Sequence, residues 1–274
     1  MALTIDYTGK AVVVIGGTSG INLGIADAFA RHGAAVAVAS RSEDKVARAV
    51  ALLKAHGGVA LGRAFDVRDV AAVHAGLADF HRELGPFDVL VSGAAGNFPA
   101  PALGMSANAF RSVVDIDLMG SFHVAREGFQ FLRKPGAALI NISAPQAFLP
   151  SELQAHVCAA KAGVDMLTRV LAMEWGVEGV RVNSIVPGPI ADTEGMARLA
   201  PTPAIRARVR ESVPLRREGR VEDVARAALF LGSPLADYIS GVVLPVDGGW
   251  SLAGFGALMG DLKRAFAEQA AARR

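Results

Sequence analysis

Residues 11–41, AVVVIGGTSGINLGIADAFARHGAAVAVASR, decide how this chain folds. The apolar run 11–15 reads as a buried strand. It feeds a turn of mostly small residues, Gly16, Gly17, Thr18, Ser19, Gly20, Ile21 and Asn22, and the spacing beyond predicts a helix to about residue 32. A second strand follows at 35–39 and stops at Ser40-Arg41. A strand that runs through a glycine-rich turn into a helix aims backbone N–H groups and the positive helix end at one point, which suits a phosphate. Glycines there let a pyrophosphate touch the main chain. These residues form the candidate cofactor cradle.

The same alternation continues outward. Helices are expected at 43–55, 70–84, 107–132 and 154–175, and strands at 59–65, 87–91, 137–142, 180–186 and 242–246. Short β-branched runs separated by helices of ten or more residues predict a parallel sheet covered on both faces. The expectation is one α/β domain over 1–274, a Rossmann-type doubly wound sheet of about seven strands, with 252–274 as a C-terminal extension. Ligands in such sheets sit beyond the carboxyl ends of the strands. The loops at 16–22, 40–44, 66–69, 92–106, 143–156 and 187–205 are thereby singled out.

Composition narrows the function classes. With 274 residues, 52% of them hydrophobic, the chain can build a large core. No apolar run reaches bilayer length, so no membrane partner is expected. The single cysteine, Cys158, excludes an intrachain disulfide and fits a reducing compartment. A net charge of +2 gives no general attraction to nucleic acid. No side-chain cluster reads as a metal site. The first residues lack the basic and apolar regions of a signal peptide, and Ala271-Ala272-Arg273-Arg274 is not a Ser-Lys-Leu type signal; a cytoplasmic location is expected.

The cofactor can be read one step further. A carboxylate at the end of the second strand would accept from a ribose 2′-hydroxyl. Arg41 stands there instead and can pair with a 2′-phosphate, which favours NADP(H). Asp66, ending the third strand, can accept from an adenine amino group.

With Asp66-Val67, Ala94-Ala95-Gly96, Asn141-Ile142-Ser143, Lys161, Asn183, Pro187-Gly188 and Asp247-Gly248-Gly249 added to the 16–22 turn, the chain resembles the short-chain dehydrogenases/reductases over nearly its whole length. Asn22 replaces that family's third glycine. The family's usual catalytic set is Asn, Ser, Tyr and Lys, with Tyr four residues before Lys. Here Lys161 is present, but Val157, Ala144 and Asp117 occupy the Tyr, Ser and Asn positions, and the only tyrosines are Tyr7 and Tyr238. Ketone reduction creates an alkoxide that needs a proton as it forms, and a positioned acid contributes about 10²–10⁴-fold. A conjugated thioester, whose charge spreads after hydride addition, needs a phenol far less.

One branch that uses such substrates is the 2,4-dienoyl-CoA reductases, and the chain resembles their peroxisomal type. The matching text is Gly96-Asn97-Phe98, Ser106-x-Asn108-x-Phe110, Asp115-Ile116-Asp117, Gln154-x-His156, Pro187-Gly188-Pro189-Ile190, Thr193-Glu194-Gly195 and Arg198-Leu199. The resemblance implies that Lys161 holds the nicotinamide ribose, that Asp117 and Asp247 position a proton-donating water, and that Asn97 steadies the enolate oxygen. It further implies that Pro187, Gly188, Pro189, Ile190 and Thr193 line the cofactor, and that Arg68, Phe98, Ser106, Asn108 and Arg198 contact the acyl-CoA. A homotetramer formed through the helices at 107–132 and 154–175 is implied too. Each role has a plain alternative at this stage: Asp117 as a structural partner of Lys161, Asp247 as a turn cap, Asn97 as a turn residue. His156 flanks the vacant tyrosine position, and the arginines between 206 and 220 read either as a rim for coenzyme A phosphates or as a solvated face. A reductase of another conjugated thioester or enone, and a non-catalytic NADP-binding protein, are the competing functional readings.

Overall fold

The computed structural model describes residues 5–255. Strands β1 (Ala11–Ile15), β2 (Ala35–Ser40), β3 (Ala60–Ala64), β4 (Val89–Ser92), β5 (Ala138–Ile142), β6 (Arg181–Pro187) and β7 (Val243–Val246) form one sheet in the order β3-β2-β1-β4-β5-β6-β7. Every neighbouring pair is parallel. The order reverses between β1 and β4, and such a reversal opens a crevice at the carboxyl ends of the strands. Helices α1 (Gly20–Arg31), α2 (Glu43–Lys54), α3 (Val70–Leu84), α4 (Ala107–Val114), α5 (Gly120–Gly128), α6 (Ala155–Trp175), α7 (Glu194–Leu199), α8 (Pro203–Ser212) and α9 (Val221–Gly232) complete the fold.

The two-sided core explains why β1 reads as an unbroken apolar run. Along β1, Val12 and Val14 enter a cluster with Ile25 and Phe29 of α1 and Val224 and Ala228 of α9. Val13 and Ile15 enter the opposite cluster, with Val73, Leu77 and Phe80 of α3, Val124 of α5 and Leu171 of α6. Successive side chains point to opposite faces, so a strand covered on both sides, as β1 is, buries every side chain and favours apolar residues throughout. Full burial of each such side chain contributes about 1.5–3 kcal/mol.

Three expectations are corrected in detail. The helix expected over 107–132 is interrupted. Ser106 caps α4 by accepting from the Ala109 N–H (3.1 Å), and a π turn at Asp115–Met119 follows, closed by the Gly120 N–H on the Asp115 carbonyl. α5 continues to Gly128, and a 3₁₀ turn covers Phe129–Phe131. The wider turn adds one residue to the ring and re-aims the side chains around it; Asp117 is only 1% exposed. Next, β3 ends at Ala64, so Asp66 lies beyond the strand rather than at its end. Finally, β4 begins at Val89: Phe87 forms only a bridge to Leu132, and the Asp88 carboxylate accepts from the Ala11 N–H (2.9 Å) and pairs with Lys10 and Arg133. Of the expected extension, a 3₁₀ turn at Trp250–Phe255 is seen, and 256–274 lie outside the described residues.

α6 turns a polar edge toward the sheet. Asn141 of β5 donates to Thr168 (2.9 Å), and Ser184 of β6 donates to Asp165 (3.1 Å). Burial pushes the Asp165 carboxyl above its ordinary range, partly offset by the hydrogen bond from Ser184 and the nearby Arg169 and Lys161 charges. The folded protein therefore holds this proton more tightly than the unfolded chain. Its contribution to stability is greatest in acid and falls as pH rises through the window above the ordinary carboxyl value. Asp165→Asn keeps an acceptor for Ser184 and removes the charge. Urea unfolding should show the variant gaining stability on the parent as pH rises above the ordinary carboxyl value; a pH-independent difference contradicts this account.

Candidate active site

A cleft of about 910 Å³ lies at the carboxyl ends of β1, β4, β5 and β6. One wall is the turn after β1. Gly16 sits at φ +79°, and a Cβ there would lie 2.8 Å from the Ala94 nitrogen; a Cβ on Gly17 would lie 2.7 Å from the Val14 carbonyl oxygen. Neither position admits a side chain without displacing backbone. Asn22, in place of a third glycine, donates to the Gly93 carbonyl (2.7 Å) and ties the two loops together, while its Oδ1 is buried without a partner. Thr18, Ser19, Gly20 and Ile21 complete this wall, and Pro187, Gly188, Pro189, Ile190 and Thr193 form the facing one. Thr193 caps α7 by accepting from the Met196 N–H (3.2 Å) and donates to the Ile190 carbonyl (2.9 Å). A stripped backbone cradle with an unpaired buried acceptor fits a dinucleotide.

Arg41 and Lys45, both exposed, flank the mouth near the end of β2. Asp66 lines the same end. It is gripped by Arg68, whose Nε lies 3.0 and 3.1 Å from its two oxygens and whose terminal nitrogen is 2.6 Å away. That grip, ahead of burial, holds the Asp66 carboxyl below the usual carboxylate range.

At the floor, Asp117 and Lys161 form a buried pair, Oδ2 to Nζ 3.2 Å, with Lys161 5% exposed. Lys161 also donates to the Ile142 carbonyl (3.0 Å). Asp117 Oδ1 accepts from the Gly96 N–H (2.7 Å), so the carboxylate fixes the loop that carries Asn97. Val157 and Ala144 face the cleft beside this pair, so its floor is apolar there.

The structure does not gather all the sequence-derived residues in one place. Asn97 lines the main cleft and also a side pocket of about 180 Å³ that it shares with Glu194 and Arg198. Arg198 donates to the Asn97 carbonyl (2.9 Å) and pairs with Glu194. Phe98 packs on the ring of His156, centroids 4.4 Å apart. His156 is fully buried, neither ring nitrogen makes a well-formed hydrogen bond, and burial draws its pKa below the ordinary value, so it stays neutral near pH 7. Ser106 is occupied as the cap of α4, and Asn108 is exposed in the first turn of that helix. Arg68 holds Asp66 and is not part of the cleft lining. Asp247 is absent from that lining too: its two oxygens accept from the Gly249 and Ser251 N–H groups, 2.8 Å each, and its Cα lies against Gly188. Lys45 and Trp250, unremarked in the sequence, do line the cleft. Their residue types carry no pattern that could have marked them.

Comparison with known proteins follows this geometry. The family model described as Enoyl-(Acyl carrier protein) reductase matches residues 15–251. Over 88% of its length the chain is 44% identical to the peroxisomal 2,4-dienoyl-CoA reductase, (3E)-enoyl-CoA-producing, of Rattus norvegicus, covering 83% of that protein. The Arabidopsis thaliana protein of the same name is 40% identical over 88% of this chain and 84% of its own. A short-chain type dehydrogenase/reductase from Mycobacterium ulcerans superposes with a TM-score of 0.86 at 30% identity, covering 90% of this chain and 91% of that one. A gluconate 5-dehydrogenase from Burkholderia cenocepacia, in complex with NADP and tartrate, gives 0.84 at 28%, covering 91% and 98%. With the switch-point cleft, the glycine cradle and the buried lysine already in place, these likenesses show that the chain belongs to the short-chain dehydrogenase/reductase superfamily of oxidoreductases.

Proposed function

We propose that this protein is an NADPH-dependent reductase of 2,4-dienoyl-CoA thioesters that serves the degradation of unsaturated fatty acids. The observation that carries the reading is the apolar floor: Val157 and Ala144 offer no proton, while Lys161 and Asp117 are retained. The names of the relatives support the same substrate class. When bound, NADPH supplies the hydride, which goes to the far end of the conjugated system and moves an electron pair onto the thioester oxygen. Asn97 holds that oxygen. Asp117, with one oxygen spent on Gly96 and the other beside Lys161, orients Lys161 toward the cofactor ribose and a water toward the α-carbon. A proton taken there restores the thioester carbonyl and leaves a 3-enoyl thioester. Asp247 shapes the Pro187-Gly188 wall through its turn. Because delocalised charge is tolerated until carbon is protonated, no phenol is required.

Arg41, helped by Lys45, supports NADPH over NADH. Arg198, with the exposed Arg208 and Arg210 of α8, supports a coenzyme A rim. Exposed Met119 and Phe122, and Met166, Val170 and Met173 of α6, support a homotetramer joined through these helices. Among the described residues no helix is long and apolar enough to cross a membrane. The single cysteine supports a reducing compartment, and cytoplasmic placement is part of the proposal.

Purified protein with NADPH and 2,4-hexadienoyl-CoA should consume both absorbing species, while saturated ketones and secondary alcohols give negligible turnover. Silence with every dienoyl chain length overturns the reading in favour of a non-catalytic nucleotide-binding protein, and turnover confined to other enones redirects it. Asp117→Asn should lower kcat by about 10²-fold or more. Tryptophan-quenching titrations should leave its NADPH Kd within about threefold, since the Gly96 acceptor survives. Arg41→Ala should weaken NADPH by about 10–100-fold and leave NADH unaffected, as loss of a charged hydrogen bond costs about 1.5–3 kcal/mol.

A further inference from the structure

Gln154 occupies the residue before α6, a place where a short side chain normally caps the helix. Its side chain caps nothing. It is 3% exposed and runs sideways into the protein. The backbone is bent to put it there: Leu153, immediately before, adopts φ +65°, a left-handed conformation that a leucine rarely takes. The Leu153 carbonyl accepts from the Ala100 N–H (2.8 Å), stitching this loop to the one that carries Asn97.

Both ends of the Gln154 amide are used. Gln146 donates to Gln154 Oε1 (2.8 Å), and Gln154 Nε2 donates to Asn97 Oδ1 (3.3 Å). The two outer amides line the cleft, whereas the middle one does not. An amide has one acceptor end and one donor end, so a chain of three has a direction. In this direction the Asn97 carbonyl is spent on Gln154, and its NH₂ is the end left for the cleft. Reversed, Asn97 would turn a carbonyl oxygen toward a substrate oxygen that is gaining negative charge.

We infer that Gln154 is a positioning residue: the Gln146–Gln154–Asn97 amide chain fixes the orientation of Asn97 so that its NH₂ faces the thioester oxygen, which ties the relay to the reductase reading above. A donor fixed before the charge develops needs no reorganisation during the reaction, which is where such groups gain their effect. The result belongs in kcat and in the electronic state of bound substrate, and scarcely in nucleotide affinity.

The test uses Gln154→Met, Gln146→Met and the double variant, each checked for fold by circular dichroism and for NADPH Kd. Two measurements are made: steady-state kinetics with 2,4-hexadienoyl-CoA, and the absorbance of that thioester bound in the presence of NADP⁺, where no turnover occurs. A donor on the carbonyl pulls electron density along the conjugated chain and shifts the band to longer wavelength. The parent should show this red shift. Gln154→Met should lose most of it and lose at least about tenfold in kcat, with KM within about threefold and NADPH Kd within about twofold. Gln146→Met should lose part of both, and the double variant should be no worse than Gln154→Met, because one chain cannot be broken twice. A folded Gln154→Met with undiminished red shift and kcat overturns the relay, as do losses that simply multiply in the double variant. If Gln154→Met does not fold, an undiminished red shift in Gln146→Met overturns it. Parent protein that turns over no dienoyl thioester defeats the reductase reading and the relay with it, whereas active parent with unaffected variants defeats the relay alone.

Discussion

A carboxylate and an ammonium group taken out of water need a nearby opposite charge, and here Asp117 Oδ2 and Lys161 Nζ lie 3.2 Å apart as a buried ion pair. The pair joins four parts of the structure. Asp117 comes from the π turn between α4 and α5, Lys161 from α6, and the remaining capacity of each goes to the main chain: Gly96 for the acid, Ile142 for the base. Removing one partner of such a pair leaves an uncompensated buried charge, at a cost of about 3–5 kcal/mol. The loop after β4, the end of β5 and the two helices are thereby held in one register, and the cleft floor is defined by that register.

The chemistry follows from what the floor lacks. A short-chain reductase without its phenol has no immediate proton for an alkoxide, so the competent acceptors are those that can wait for their proton. Conjugated thioesters wait because the electron pair is spread over several atoms, provided something steadies the oxygen end. In the proposed mechanism Asn97 does so, and it is held by Gln154 on its side chain and by Arg198 on its backbone carbonyl. His156 contributes differently, as a neutral ring that backs Phe98.

Much of this was legible in the chain itself. The run 11–22 fixes a strand, a cradle and a helix because only glycine tolerates the backbone contacts at Gly16 and Gly17. Seven apolar runs announce a sheet buried on both faces, and Val157 before Lys161 announces the missing acid. Other features were not legible. The π turn is invisible to periodicity, since α4 and α5 continue with proper helical spacing on either side of it. The pairing of Arg68 with Asp66, two residues away, is a further contact that motif matching alone does not show.

Sequence alone determined the sheet class, the glycine-rich turn that walls the cleft and the valine four residues before Lys161, because these depend on local patterns and on which residue types stand at fixed spacings. Tertiary structure alone decided which polar groups remain free to act. Asp247 and Ser106 spend their side chains on nearby backbone, whereas Asn97 and Asp117 have theirs set by partners far along the chain, Gln154 and Lys161. A hydrogen-bonding group has few valences, and only the packed fold shows how many are already used.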